Sequence, residues 1–167
     1  MYEKGEFVIY GNNGVCCIEA IGIPKGTPMA KTGKSYYTLK PVAGKGTIFA
    51  PVDTKVYMRP VMTKKEADAL IDCIPEIMAE TAMGHDIKEL SEHYRSCLET
   101  HDCKDLVKLI KTIWKKEKCM CEHGKKLAKT EQDFCKLATG LLQMELAVAE
   151  EIPSEQVEEY IRHRLGK

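Results

Sequence analysis

The 167-residue chain has no apolar run approaching the roughly 20 residues that a membrane-spanning helix needs. Its opening, Met1-Tyr2-Glu3-Lys4-Gly5, is polar and no apolar segment follows, so no signal peptide is expected. Net charge is also missing, 25 Lys+Arg balancing 25 Asp+Glu, and there is a single Trp. No P-loop pattern occurs, which excludes a motor of that kind. None of His85, His93, His101, His123 and His163 is paired with a Ser or Cys nucleophile by a recognisable motif, so the chain is not expected to be an enzyme.

The neutral total conceals two halves. Residues 1 to 60 hold 8 Lys+Arg against 4 Asp+Glu, whereas residues 61 to 167 hold 17 against 21. Most of the 12 glycines lie in the first part, which reads as turn-rich and β-like, while the rest reads as helical. A chain of this length forms either one domain of moderate size or two small ones, and the shift near residue 60 favours two.

The stretch Glu6 to Ile21, EFVIYGNNGVCCIEAI, is the strongest local signal. Phe7 to Tyr10 and Val15 to Ile18 contain no strong helix former, and Gly11-Asn12-Asn13-Gly14 between them supplies residues that tolerate positive φ, so a β-hairpin is predicted. Further strands are expected at Tyr36 to Lys40, Thr47 to Val52 and around Val56 to Arg59. Five short strands joined by glycine turns predict a small SH3-like or Tudor-like barrel, and modules of that kind usually bind partners.

Beyond Pro60 the period changes. Thr63 and Glu66 form a capping-box pattern, and Ala67, Leu70, Ile71, Ile74 and Met78 fall on one face of a helix that must negotiate Pro75. A second helix is predicted over Ile87 to Leu98, with Leu90, Tyr94, Cys97 and Leu98 at turn spacing. Asp102 caps a third over Lys104 to Lys118, whose apolar stripe holds Leu106, Leu109, Ile110, Ile113 and Trp114; this spacing puts Trp114 in the core. Helices from Lys125 to Glu150 and from Ser154 onward complete an all-α second part. The fold class is therefore α+β, with a β-barrel domain over residues 1–60 and a helical domain over 61–167.

Eight cysteines would suggest a disulfide framework in a secreted chain, but Cys16, Cys97 and Cys135 fall within strand or helix patterns, where a thiol packs like a small hydrophobe. A reducing cytoplasm is the expectation. Cys16 and Cys17 point to opposite faces of one strand. Cys119, Cys121 and His123 carry zinc-ligand chemistry, yet Cys-x-Cys is tighter than the usual spacing and no second pair completes four ligands, so neither metal nor cofactor is expected.

KGEFVIYGNNGVCCIEAI, followed by YYTLK and by Met58-Arg59-Pro60, resembles the N-terminal module of the CarD/CdnL family of bacterial transcription regulators. YRSCLETHDCKDLVKLIKTIWKK and LLQMELAVAE resemble that family's helical domain. The resemblance implies a Tudor-like domain that docks on the RNA polymerase β subunit. It also implies a helical domain that contacts promoter DNA at the upstream edge of the melted region and favours the open complex. Transcription-repair coupling factors carry a similar docking module joined to a translocase.

Carried onto this chain, the polymerase-binding strand is Thr47, Ile48, Phe49, Ala50 and Pro51, with the loop near Lys25. Phe49 stands where some members have a basic residue, which favours apolar contact over a salt bridge; its alternative place is the barrel core. The DNA-facing segment is Leu90 to Arg95. Leu90 stands where members commonly have a Trp that wedges into the minor groove, and either replaces that wedge or packs inside the bundle. Tyr94 and Arg95 follow, Arg95 as a phosphate contact. Lys104, Lys108, Lys111 and Lys115 form a stripe at i, i+4, i+7 and i+11 that either follows phosphates or is a solvated face. The alternatives to a polymerase-binding regulator are an interaction module without DNA contact and a thiol or zinc sensor.

Overall fold

The hairpin forms because Phe7–Tyr10 (β1) and Val15–Gly22 (β2) are β-branched, aromatic or small, and a turn sits between them. In the structure, a computed structural model that describes residues 1–80 and 86–167, the turn is one 3-10 segment over Gly11–Asn13. The glycines, not the asparagines, take its positive φ angles, 49° at Gly11 and 72° at Gly14. A Cβ at Gly11 would stand 3.0 Å from Val56 Cγ1, so the close approach requires glycine twice over.

Three more strands, Tyr36–Pro41 (β3), Ile48–Pro51 (β4) and Met58–Pro60 (β5), complete an antiparallel sheet in the order β4-β3-β2-β1-β5. Register sets Val8 opposite Cys16, Ile18 opposite Leu39 and Tyr37 opposite Ala50. These side chains, with Tyr10, make the core, and Tyr2, Ile48, Val52 and Met58 pack against it. Full burial of each aliphatic member contributes about 1.5–3 kcal/mol. Cys16 is one of them, fully buried, and burial pushes its thiol pKa up to about 11, while Cys17 on the other face is half-buried. A bulge between Ile18 and Ala20 shifts the alternation, so that Ala20 rather than Glu19 pairs with Thr38.

The chain divides into two compact units, Met1–Val61 and Met62–Lys167. In the second, α1 (Lys64–Cys73) starts on a complete capping box: Thr63 Oγ1 accepts from Glu66 N–H at 3.2 Å and Glu66 Oε2 accepts from Thr63 N–H at 2.7 Å. Pro75 cannot continue the helix, which tightens into a 3-10 turn over Ile74–Glu76. Met78 therefore leaves the core face predicted for it and is 77% exposed. Asp86 and Asp102 cap α2 (Ile87–Glu99) and α3 (Cys103–Glu122), accepting from Lys88 and Lys104 N–H at 3.0 and 2.8 Å.

Helix α3 runs further than predicted and takes in Cys119 and Cys121. Gly124, at φ 70°, follows its end, so α4 begins at Lys129 rather than Lys125 and runs to Glu150. A 3-10 turn over Ser154–Gln156 leads into α5 (Val157–Arg164). Leu70, Ile71, Leu90, Tyr94, Leu98, Leu106, Ile110, Ile113, Leu142 and Leu146 are among the side chains that fill the core between these helices.

Three glutamates are buried in this unit. Glu131 accepts from Tyr94 Oη at 3.0 Å and pairs with Lys116. Glu145 accepts from Met62 N–H at 3.1 Å and from the Cys103 thiol at 3.0 Å. Glu150 has Lys64 Nζ at 3.8 Å, and among the described residues neither carboxylate oxygen has a hydrogen bond of normal geometry. Burial, with Asp68 beside it, holds its pKa above the ordinary carboxylate range, whereas a hydrogen bond from Tyr160 holds Asp68 below that range.

A pH dependence follows from Glu150. At pH values below the unfolded pKa both states hold its proton and folding carries no penalty. As pH rises through the raised folded value, the folded state must bury a charge, and stability falls. Glu150→Gln is expected to remove that fall. Melting curves from about pH 4 to about pH 8 check it: the wild-type chain loses more midpoint temperature across the interval than the variant does.

Candidate functional site

Among the described residues, strand β4 is bonded to β3 and has no second neighbour, so it is a sheet edge. Ser35 O accepts from Val52 N–H at 3.1 Å, which fixes the parity of the ladder. Antiparallel pairs alternate between bonded and unbonded, so Ala50 and Ile48 turn their backbone groups to β3 while Phe49 turns its N–H and C=O outward. Pro51, also outward-facing, offers only a carbonyl. The edge thus has one donor-acceptor pair at Phe49, flanked by Thr47 and by the Pro51 carbonyl.

Side chains alternate in the same way. Ala50 is fully buried, and Ile48 is partly buried with its side chain packed against the core, so of the strand's expected contact residues these two turn toward the barrel interior. Phe49 lies on the opposite face, beside Thr38, and is half-buried outside the core cluster. With Ala20, Ile21, Ile23, Pro24 and Lys25 it lines an open groove of about 330 Å³ next to the edge. Ile21 is 40% and Ile23 50% exposed. The structure therefore brings together Phe49 and Lys25, which are 24 positions apart in the chain. Sequence reasoning missed Ile21 and Ile23; their signal was an aliphatic pair running out of a strand into a loop.

The residues assigned to DNA do not stay together. Leu90 is 9% and Tyr94 2% exposed, both in the helical core. The Tyr94 ring stands 5.6 Å from that of Phe134, and burial together with Glu131 pushes its phenol far above the usual range. Both side chains face the core in this structure, in keeping with their turn spacing. The lysine stripe also splits. Lys108 pairs with Glu80 at 2.8 Å, and Glu80 also meets His93 Nε2 at 2.6 Å. Lys111 turns inward, donating to the carbonyls of Ile74 and Ile77 at the end of the 3-10 turn. Arg95, Lys104 and Lys115 are exposed. Among the described residues their side chains have no ion-pair partner.

Cys119 and Cys121, two positions apart on α3, project about 200° from each other. His123 Nδ1–H is taken by Cys119 O at 2.8 Å. No group of three or more His, Cys, Asp or Glu among the described residues is arranged to hold a metal ion. His85 lies outside the described residues.

A small antiparallel sheet with an edge strand beside an apolar groove defines a protein-interaction module. Residues 2–62 match the family model of the CarD-like/TRCF RID domain. The N-terminal unit is thus similar to a Tudor-like protein-interaction domain of that family. No curated protein matches the chain. No helix among the described residues is long and apolar enough to cross a membrane.

Proposed function

We propose that the chain docks on the β subunit of RNA polymerase through the β4 edge, and that its helical unit contacts promoter DNA near the upstream edge of the melted region, prolonging the open complex. The observation that carries the docking reading is the union of one outward backbone pair at Phe49 with an apolar groove on the same side of the strand. Net backbone hydrogen bonds contribute only about 0.5–1.5 kcal/mol each, so an edge with so few free groups cannot hold a partner alone. Burial of Phe49 and the exposed isoleucines supplies the remainder.

The first 60 residues carry 8 Lys+Arg against 4 Asp+Glu, which favours an acidic counterpart. Lys25→Glu is expected to slow association about three- to tenfold at low salt with little change at high salt. Surface plasmon resonance on immobilised β subunit checks this, and capture of the full chain by the β subunit tests the reading itself.

DNA contact rests on Arg95, Lys104 and Lys115, exposed cations with no ion-pair partner among the described residues. Three phosphate contacts give a logarithmic salt slope of about −3, from about 0.9 per contact on duplex DNA. The helical residues 61 to 167 are acidic overall, with 17 Lys+Arg against 21 Asp+Glu, so free binding is weak and docking on polymerase makes it effective by raising local concentration. Arg95→Ala is expected to flatten the slope by about one unit in polymerase-promoter complexes, while Arg95→Lys retains it.

A further inference from the structure

Trp114 is the chain's single tryptophan, and its place on the apolar stripe of α3 predicts burial. It is instead 56% exposed, at the rim of a groove of about 470 Å³ formed with α4. A side-chain hydrogen bond to Cys135 fixes the indole. Leu127 and Cys135 give the groove apolar walls, and α4 adds Thr139 and Gly140. A Cβ built on Gly140 would meet nothing within 4 Å, so this mid-helix glycine, costly to the helix itself, leaves the wall open. The groove has room for a large apolar side chain beside a ring that is already held in place.

The charge around the groove differs in sign from that of the rest of the unit. Residues 115 to 136 hold 7 Lys+Arg against 4 Asp+Glu, whereas the other residues of 61 to 167 hold 10 against 17. Lys116 pairs with the buried Glu131. Lys115, Lys118, Lys125, Lys126, Lys129 and Lys136 are exposed, and among the described residues none of the six has an ion-pair partner. Lys136 lines the groove, Lys118 follows Trp114 by one helical turn, and Lys125 and Lys126 immediately precede the wall residue Leu127. A basic rim around an apolar slot is complementary to an acidic occupant with an apolar anchor. The lining selects a polypeptide over a nucleic acid. Glu117 places a carboxylate in the groove, which repels a chain charged at every nucleotide; a peptide sets its carboxylates over the lysines and a neutral residue beside Glu117. Gln132, Thr139 and Gln143 supply the neutral donors and acceptors that a peptide backbone needs.

We propose that the α3–α4 groove docks an acidic segment of a partner protein, with one large aliphatic or aromatic side chain of that segment seated between Trp114 and Gly140. Carboxylates of the segment lie over Lys118, Lys125 and Lys136. The ring and the filled slot supply affinity, while the lysines speed encounter and exclude basic segments. The inference is independent of the proposed DNA contact, which rests on Arg95, Lys104 and Lys115, none of which lines the groove.

A display library of random short peptides, panned on the full chain, supplies the probe. Selected peptides are expected to carry several Asp or Glu around a single Leu, Ile, Phe or Met. Made synthetically, they should shift the fluorescence of Trp114, which reports on the groove alone because the chain has no other tryptophan. Trp114→Ala is expected to weaken a selected peptide at least about tenfold, and Trp114→Phe less. Gly140→Leu separates docking from folding, since it fills the slot while replacing a poor helix former with a good one. It should raise the melting temperature and weaken the peptide at least about fivefold. Lys118→Glu combined with Lys136→Glu should weaken it about tenfold at low salt and less at high salt. Recovery of no acidic peptide, or of peptides that bind the Trp114→Ala and Gly140→Leu chains as well as the wild type, overturns the proposal. A single-stranded or duplex oligonucleotide that shifts Trp114 fluorescence where the peptides do not overturns it in favour of nucleic acid.

Discussion

Phe49→Asp is expected to weaken capture by the RNA polymerase β subunit at least about thirtyfold, the loss typical of removing a central interface anchor of roughly 2 kcal/mol. The aromatic ring occupies the groove face of β4 and not the barrel core, so the variant keeps Val8, Ile18, Leu39 and Ala50 packed. Asp is a poor strand residue, and the change costs up to about 1 kcal/mol of domain stability. A carboxylate placed over Ile21 and Ile23 removes apolar contact and, against an acidic partner, adds repulsion. Equilibrium binding of the purified variant, with its melting curve alongside, separates the two effects: affinity falls by far more than stability does. Ala50→Asp should behave in the opposite order, because Ala50 is fully buried and a charge there disrupts the sheet before any partner is met.

The second large effect concerns Leu90. Its side chain is 9% exposed in the helical core, and Leu90→Ala is expected to destabilise this unit by about 2–4 kcal/mol through lost burial and a residual cavity. For a unit of this size that lowers the melting temperature by about 10 °C or more. If Leu90 were instead a wedge facing DNA, the same substitution would leave the melting curve nearly unchanged and reduce open-complex lifetime. Circular dichroism melts distinguish these directly. Tyr94→Phe provides a milder companion: it removes the 3.0 Å hydrogen bond to Glu131 but keeps the ring against Phe134, and Lys116 still pairs with the carboxylate, so about 1 kcal/mol is expected.

What was legible in the sequence was local. Strand propensity and a glycine turn specified β1 over Phe7–Tyr10, and Thr63 with Glu66 specified the start of α1, because both depend on residues within a few positions of each other. What was not legible depends on distant partners. Lys108 and Lys111 read as one exposed stripe with Lys104 and Lys115, yet their partners, Glu80 and the carbonyls of Ile74 and Ile77, precede α2 in the chain.

Trp114 marks a second kind of limit. It stands about 100° around α3 from the fully buried Ile113, at the edge of the apolar stripe, where a small change in neighbour position decides between core and rim. Leu90 shows the reverse: its period with Tyr94 and Leu98 already indicated packing, and only the resemblance pointed it outward. The groove beside β4 escaped sequence reading because the bulge at Ile18/Ala20 changes which residues of β2 share a face with Phe49. Nothing in the residues themselves announces that extra position.

The amide of Phe49 gives the most direct test of edge docking. In the free chain its N–H faces away from β3 and exchanges rapidly with solvent, whereas the Ala50 amide is already held in the ladder. Residue-resolved hydrogen exchange of the chain, alone and bound to the RNA polymerase β subunit, should show the Phe49 amide becoming strongly protected on binding. Protection appearing at β5 or elsewhere, with Phe49 still exchanging as fast as in the free chain, would contradict docking through the β4 edge.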